Sequence, residues 1–202
     1  GLFDPGRRGE LGARRLGELA EKHNHDILQT IFAALLDRSE RLTRAKLLEI
    51  PDGTYTYTEF LDNDGVEMDK PVRIQVAVTI EGDRFHCDFT GTNDQVKGPF
   101  NCVPSGVAAA TCFALRAVTD PDIPTNGGCF RPLDLTLPKG SIVNPQEPAP
   151  VNARTATIKR IASCVLGALK EVVPDKVPAD SGNELLILML GGLRGNGENY
   201  VV

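Results

Sequence analysis

No apolar run in the 202-residue chain approaches the ~18 residues that a membrane-spanning helix needs. The first residues lack the basic, apolar and small-residue order of a secretory signal. There is no basic excess: 22 Lys and Arg stand against 27 Asp and Glu, a formal net charge of -5. That argues against a nucleic-acid or anionic-membrane partner, which would need a basic patch. No CxxC pair occurs among the five cysteines, Cys87, Cys102, Cys112, Cys129 and Cys164. An odd set without paired spacing, in a chain with no secretory signal, points to reduced cytosolic thiols acting as small hydrophobes. GxxxxGK[ST], HExxH and GxSxG are missing too, so the standard nucleotide, zinc-protease and nucleophile-elbow motifs are excluded. There is no internal repeat and no low-complexity segment.

What is present is an ordinary globular composition, 41% hydrophobic and 24% charged, with enough chain to bury a core as one domain. Residues 1–50 read as a helical lead and residues 51–202 as an α+β core. In the lead, Leu11, Leu16, Leu19 and Ala20 share a helical face, and Ile27, Ile31, Leu35, Leu42 and Leu48 continue it. The spacing predicts two helices, or one broken near Asn24, with Asn24 and Asp26 able to cap the second. "GTYTYTEFLD" alternates as a strand, and "NDG" at 63–65 is a turn. "PVRIQVAVTI" is the clearest strand. With Gly82-Asp83 as a two-residue type II′ turn, Ile80 faces Phe85, Val78 faces Cys87 and Val76 faces Phe89. His86 and Asp88 then point to the other face.

Downstream, "SGVAAATCFALRAV" predicts a helix capped by Ser105 and, being apolar almost all round, buried. "LDLTLPKGSIVNP" alternates again. "TATIKRIASCVLGALKEVV" predicts an amphipathic helix stopped by Pro174. "NELLILML" reads as a strand covered on both faces, "GGLRGNGEN" as a glycine-rich turn, and "YVV" as the start of another strand. The class is α+β, an antiparallel hairpin-based sheet packed with amphipathic helices.

Few residues carry recognisable chemistry. His23 and His25 form an H-x-H at the helix junction, a weak metal signal without a third ligand. His86 and Asp88 share one strand face, for which solvent is the commoner neighbour; the functional reading is that the strand end aims Asp88, Thr90 and Thr92 into a cleft, since glycine loops after strands often place reactive groups. Asn126 and Gly127, with Gly128, make either a plain turn or a backbone cradle for an anion. Arg154 stands just before a helix N-terminus, an anion-friendly place, with Thr155 read as the N-cap.

Three stretches carry a resemblance: "VRIQVAVTIEGDRFHCDFTGTNDQVKGPFN", "DPDIPTNGGCFRPLDLTLPKGSIVNP" and "PAPVNARTATIKRIASCVLGAL". Their D-F-T-G-T, N-x-G-C-x-R-P and K-G-S-I-V-N-P, and the helix ending in L-G-A-L, come in the order and spacing of the hydantoinase B / oxoprolinase family. That family includes the B component of N-methylhydantoinase, the C-terminal half of 5-oxoprolinase and the large subunit of acetone carboxylase. The resemblance implies a two-component enzyme. A hydantoinase A-type ATPase subunit activates a small cyclic amide or a ketone with ATP, and the B-type component completes hydrolysis or carboxylation. It also implies an internal fragment of a longer, oligomeric subunit. The family's metal-ligating His and Asp residues lie upstream of this stretch, so a divalent metal belongs to the full subunit and ATP to the partner. On this resemblance Asp88, Thr90 and Thr92 are candidates for catalysis, and Asn126, Gly127 and Arg154 for substrate binding. The activity expected is an ATP-dependent hydrolase opening hydantoin- or 5-oxoproline-type rings in the cytoplasm. A ketone carboxylase domain and a non-catalytic structural domain of such a complex stay open as alternatives.

Overall fold

The computed structural model describes the backbone of residues 5–182 and 190–201, with side chains of residues 9–182 and 190–200. Two helices open the chain, α1 (Pro5–His23) and α2 (His25–Leu47). Asn24 separates them. Its φ of 71 breaks the helical path, and its side chain accepts the backbone N–H of Asp26. The expected break is therefore present, with Asn24 as the cap. The expected apolar face is not buried within these residues. Leu11, Leu16, Leu19, Ile27, Ile31 and Leu35 are between 43% and 54% exposed. In α2 the first half buries Leu28 alone, and the second half buries Ser39, Thr43 and Leu47.

The sheet contains β1 (Gly53–Leu61), β2 (Val72–Glu81), β3 (Arg84–Asp88) and β4 (Leu133–Thr136), in that order. β1, β2 and β3 run antiparallel. The predicted hairpin register holds, with Ile80 opposite Phe85 and Val78 opposite Cys87. Gly82 takes a φ of 57 and Asp83 stays at negative φ, as a type II′ turn requires. β4 departs from a purely antiparallel sheet. It pairs parallel to β3, because the chain leaves β3, crosses over through a helix and returns in the same direction.

That crossover contains α3 (Pro104–Val118). With α4 (Arg154–Leu169) it covers one face of the sheet. Ile74, Val76, Val78, Phe85, Cys87 and Phe89 on the sheet, and Val107, Leu115, Ile161, Cys164, Val165 and Leu169 on the helices, are fully buried. Strict alternation in β2 puts Val72, Ile74, Val76, Val78 and Ile80 into this layer and leaves Arg73, Gln75, Ala77 and Thr79 on the other face.

Four helix expectations need correction. Ser105 does not cap α3: the helix starts one residue earlier, at Pro104, and Val103 makes no side-chain cap bond. Proline at the first position supplies no N–H, so less capping is required. α3 is not buried all round either, since Phe113 is 61% exposed. Thr155 does not cap α4, whose N-cap position is Ala153, and α4 ends at Leu169 in hydrogen-bonded turns before Pro174 is reached.

The glycine-rich turn and the strand after it form a hairpin, β5 (Gly191–Leu193) with β6 (Asn199–Val201). Of the predicted strand "NELLILML", residues 183–189 lie outside the described residues. All five cysteines are free, and only Cys112 is not fully buried. No helix among the described residues is long and apolar enough to cross a membrane.

Replacing Ile161 by Ala should destabilise the 202-residue chain by about 2–5 kcal/mol, because the site is sealed between α4 and the sheet. Leu16→Ala on the exposed face of α1 should change it by less than about 0.5 kcal/mol. Urea unfolding of the two variants checks the contrast.

Candidate functional site

β3 ends at Asp88, whose carboxylate accepts the backbone N–H of Thr90 at 2.8 Å and so starts a turn. Gly91 continues it at a φ of 96, and a Cβ there would lie 2.9 Å from the Gln75 side chain. Thr92 then behaves as an extra ladder residue. Its hydroxyl donates to Gln75 O at 3.0 Å and accepts Gln75 N–H at 3.1 Å. Asn93 does the same one step on, donating its backbone N–H to Arg73 O and accepting Arg73 N–H through Oδ1. The loop thus extends the sheet past β3 through side chains.

From Asn93 the chain runs beside the K-G-S-I-V-N-P stretch. Gln95 N–H donates to Gly140 O, Ile142 N–H to Asn93 O, and Cys102 N–H to Ile142 O. The side chain of Gln95 exchanges two hydrogen bonds with the backbone of Gln146. The segment ends against α4: Ala153 N–H donates to Pro99 O at 2.9 Å, and the Thr157 hydroxyl donates to Phe100 O. Residues 88–102, 138–146 and 150–157 therefore form one layer at the end of the sheet where β3 stops.

This layer contains Asp88, Thr90 and Thr92 near one end of the 88–102 segment and Arg154 near the other. Asp88 is partly exposed on the outer sheet face, and Thr90 is exposed. Arg154 is the first residue of α4, exposed, with its guanidinium donating to Val151 O at 3.3 Å. Burial pushes the Cys102 thiol up to about 11, against the pull of the Arg154 charge.

Asn126 and Gly127 are elsewhere. Asn126 caps a short 3-10 helix, Gly127–Phe130, by accepting Gly128 N–H at 2.8 Å, and it donates to the Ser39 hydroxyl of α2 at 2.8 Å. At Gly128 a Cβ would lie 2.0 Å from Leu36 O, so only glycine allows α2 so close. Arg131 bonds Asp37 and Glu40 on the same helix, and its guanidinium, with that of Arg44, holds the Glu40 carboxyl below its usual value. The N-x-G-C-x-R-P stretch is a docking plate for α2. Among the described residues no hydrogen bond or ion pair joins Asp88, Asn126 and Arg154 to one another.

Two residues that organise the layer carry no motif signal. Asn101 is fully buried. Its amide accepts Val96 N–H and donates to the carbonyls of Val96, Gly98 and Pro150. Asp64, inside the predicted turn, is buried and accepts backbone N–H groups from both sides. Only "KGPFN" and "NDG", stretches rich in turn residues, mark their places.

His86 bonds the Thr136 hydroxyl on the outer face at 2.8 Å, and His23 and His25 are exposed. Among the described residues no group of three or more His, Cys, Asp or Glu side chains is placed to hold a metal ion. What the layer offers is hydroxyl, carboxylate, amide and guanidinium groups on a rigid frame, suited to hydrogen-bonding a small polar molecule.

Asn101→Ala leaves several buried partners unsatisfied and should cost about 2–4 kcal/mol in urea unfolding. Asp64 adds a pH signature. Backbone N–H donors, led by that of Glu67, hold its carboxyl below the ordinary 3.8. Its contribution is fully present above 3.8 and is lost as pH falls through the lower folded value. Acid titration of stability below that point should be shallower in Asp64→Asn than in the parent.

The family model described as Hydantoinase B/oxoprolinase matches residues 9–202. A Pseudomonas sp. protein named as the B component of a D-/L-hydantoinase is 34% identical over 95% of this chain and 34% of its own length. The solved ATP-dependent caprolactamase from Pseudomonas jessenii superposes with a TM-score of 0.72 at 31% identity, covering 83% of this chain and 29% of that one. The nucleotide-free structure of acetone carboxylase superposes with a TM-score of 0.79 over 93% of this chain and 27% of that one; at 16% identity the likeness is one of fold. The chain spans about a third of the length of the curated relatives it matches. With the family motifs assembled into one layer and a docking plate, and the match running almost end to end, the chain belongs to the hydantoinase B/oxoprolinase family.

Proposed function

We propose that this chain is part of an ATP-dependent hydrolase that opens small cyclic amides of the hydantoin or 5-oxoproline type, acting with a hydantoinase A-type ATPase subunit. One observation carries the reading. Identity to the hydantoinase and caprolactamase proteins is 34% and 31%, against 16% for acetone carboxylase, so the sequence follows the amide-cleaving relatives more closely than the ketone-carboxylating one. In the reaction, water oxygen adds to the ring carbonyl carbon, the C–N bond breaks, and a proton goes to the leaving nitrogen. Fixed donors stabilise the charge that develops on the carbonyl oxygen.

Within this scheme the rim of the layer meets the substrate. Asp88 and Thr90 supply a carboxylate and a hydroxyl at the turn after β3, and Arg154 supplies a charge-assisted contact to an anionic or carbonyl oxygen. Thr92 acts through Gln75, holding the turn. Asn126 and Gly127 act through α2, which they brace. The full subunit works in the cytoplasm, as an oligomer, with any divalent metal held outside these residues. Free, mostly buried thiols support the reducing compartment.

The test uses the full-length subunit purified with its ATPase partner. Phosphate release should depend on hydantoin, 5-oxoproline or caprolactam, and not on acetone. Asp88→Asn should lower turnover about tenfold or more without unfolding the protein. Release that answers only to acetone would replace the hydrolase with the carboxylase alternative. A protein indifferent to all four compounds would end the enzymatic reading.

A further inference from the structure

The β1–β2 loop holds a buried carboxylate that the proposed reaction does not use. Asp64 is 3% exposed. Its Oδ1 accepts the backbone N–H of Val66 at 2.8 Å and of Glu67 at 2.6 Å, and its Oδ2 accepts that of Gly98 at 3.1 Å. The nearby lysines, Lys70 and Lys97, pair with Glu67 instead. The first two bonds are local to the turn, whereas Gly98 is 34 residues away. Gly98 has no room for a side chain: a Cβ there would lie 1.5 Å from Asp64 O.

Each of the next three residues then holds part of the approach to α4. Pro99 O takes the N–H of Ala153, Phe100 O takes the hydroxyl of Thr157, and the Asn101 amide donates to Pro150 O at 3.0 Å. Arg154 follows Ala153 directly.

We propose that Asp64 is a positioning residue. It sets the 98–101 segment against the β1–β2 loop, and through that segment it fixes the first turn of α4 and the place of Arg154. A carboxylate is required because both of its oxygens accept. An amide at the same place keeps one acceptor for the turn but turns N–H against the N–H of Gly98. The substrate contact of Arg154 rests on the function proposed above; the tether does not.

Hydrogen exchange on the full-length subunit separates the two. In Asp64→Asn, and in Gly98→Ala, which keeps the carboxylate and forces the backbones apart, the amides of Gly98 and Ala153 should exchange about tenfold faster. Those of Val76 and Val165 should stay as in the parent. Unchanged exchange at Ala153 in both variants overturns the proposal, as does loss of protection across the whole sheet. With the ATPase partner present, KM should rise about tenfold in Asp64→Asn for whichever of hydantoin, 5-oxoproline and caprolactam turns over, with kcat within about twofold. The Asp64→Asn/Arg154→Ala pair should be no worse than Arg154→Ala alone. Additive increases in KM overturn the route through Arg154. An Arg154→Ala protein with unchanged KM removes the substrate contact from Arg154 and leaves the tether standing on its exchange result.

Discussion

The candidate site depends on the side chain of Asn101. A carboxamide has one acceptor and two donors, and here all of them are used in full burial. The oxygen takes Val96 N–H, and the nitrogen serves the carbonyls of Val96, Gly98 and Pro150. A buried polar group is tolerated only when its partners are met, so residues 96–98 and 150 can hold one mutual arrangement. That arrangement brings the loop leaving β3 and the approach to α4 together. Asp64 holds the same loop from its other side.

The rest of the layer is built by extending the sheet without backbone strands. Thr92 and Asn93 supply side-chain oxygens where a ladder would supply carbonyls. Such a device keeps the backbone free to turn while satisfying the exposed end of β2. It also explains why the D-F-T-G-T stretch mixes small, hydroxyl and carboxylate residues: one side chain starts the turn, a glycine clears Gln75, and another hydroxyl closes the edge. The hydroxyl of Thr92 is engaged by structure, while that of Thr90 and the carboxylate of Asp88 stand at the rim.

The family motifs divide by task once folded. D-F-T-G-T, K-G-S-I-V-N-P and the start of α4 meet in one layer. N-x-G-C-x-R-P goes to α2 instead, where Gly128 permits contact, Asn126 bonds Ser39, and Arg131 pairs with two carboxylates. In sequence the two kinds of motif look alike, because a turn that grips a helix and a turn that lines a site use the same residues. Helix ends were the least legible elements. Ser105 and Thr155 have cap-forming side chains, but the helices begin at Pro104 and Arg154, and neither residue occupies the cap position.

The sequence by itself determined strands β1 and β2, the hairpin register and the face each of them buries. Those follow from alternation with a period of two and from one two-residue turn, both local facts. It also carried the family, through motifs whose order survives in one dimension. Only the tertiary structure decided that β4 runs parallel to β3, and that the apolar stripe of α1 and α2 stays exposed among these residues. It alone brought Asp64 and Asn101 to bear on α4. Those outcomes depend on contacts between residues tens of positions apart, and a lone Asp or Asn in a turn gives no local sign of the carbonyl or N–H it will meet.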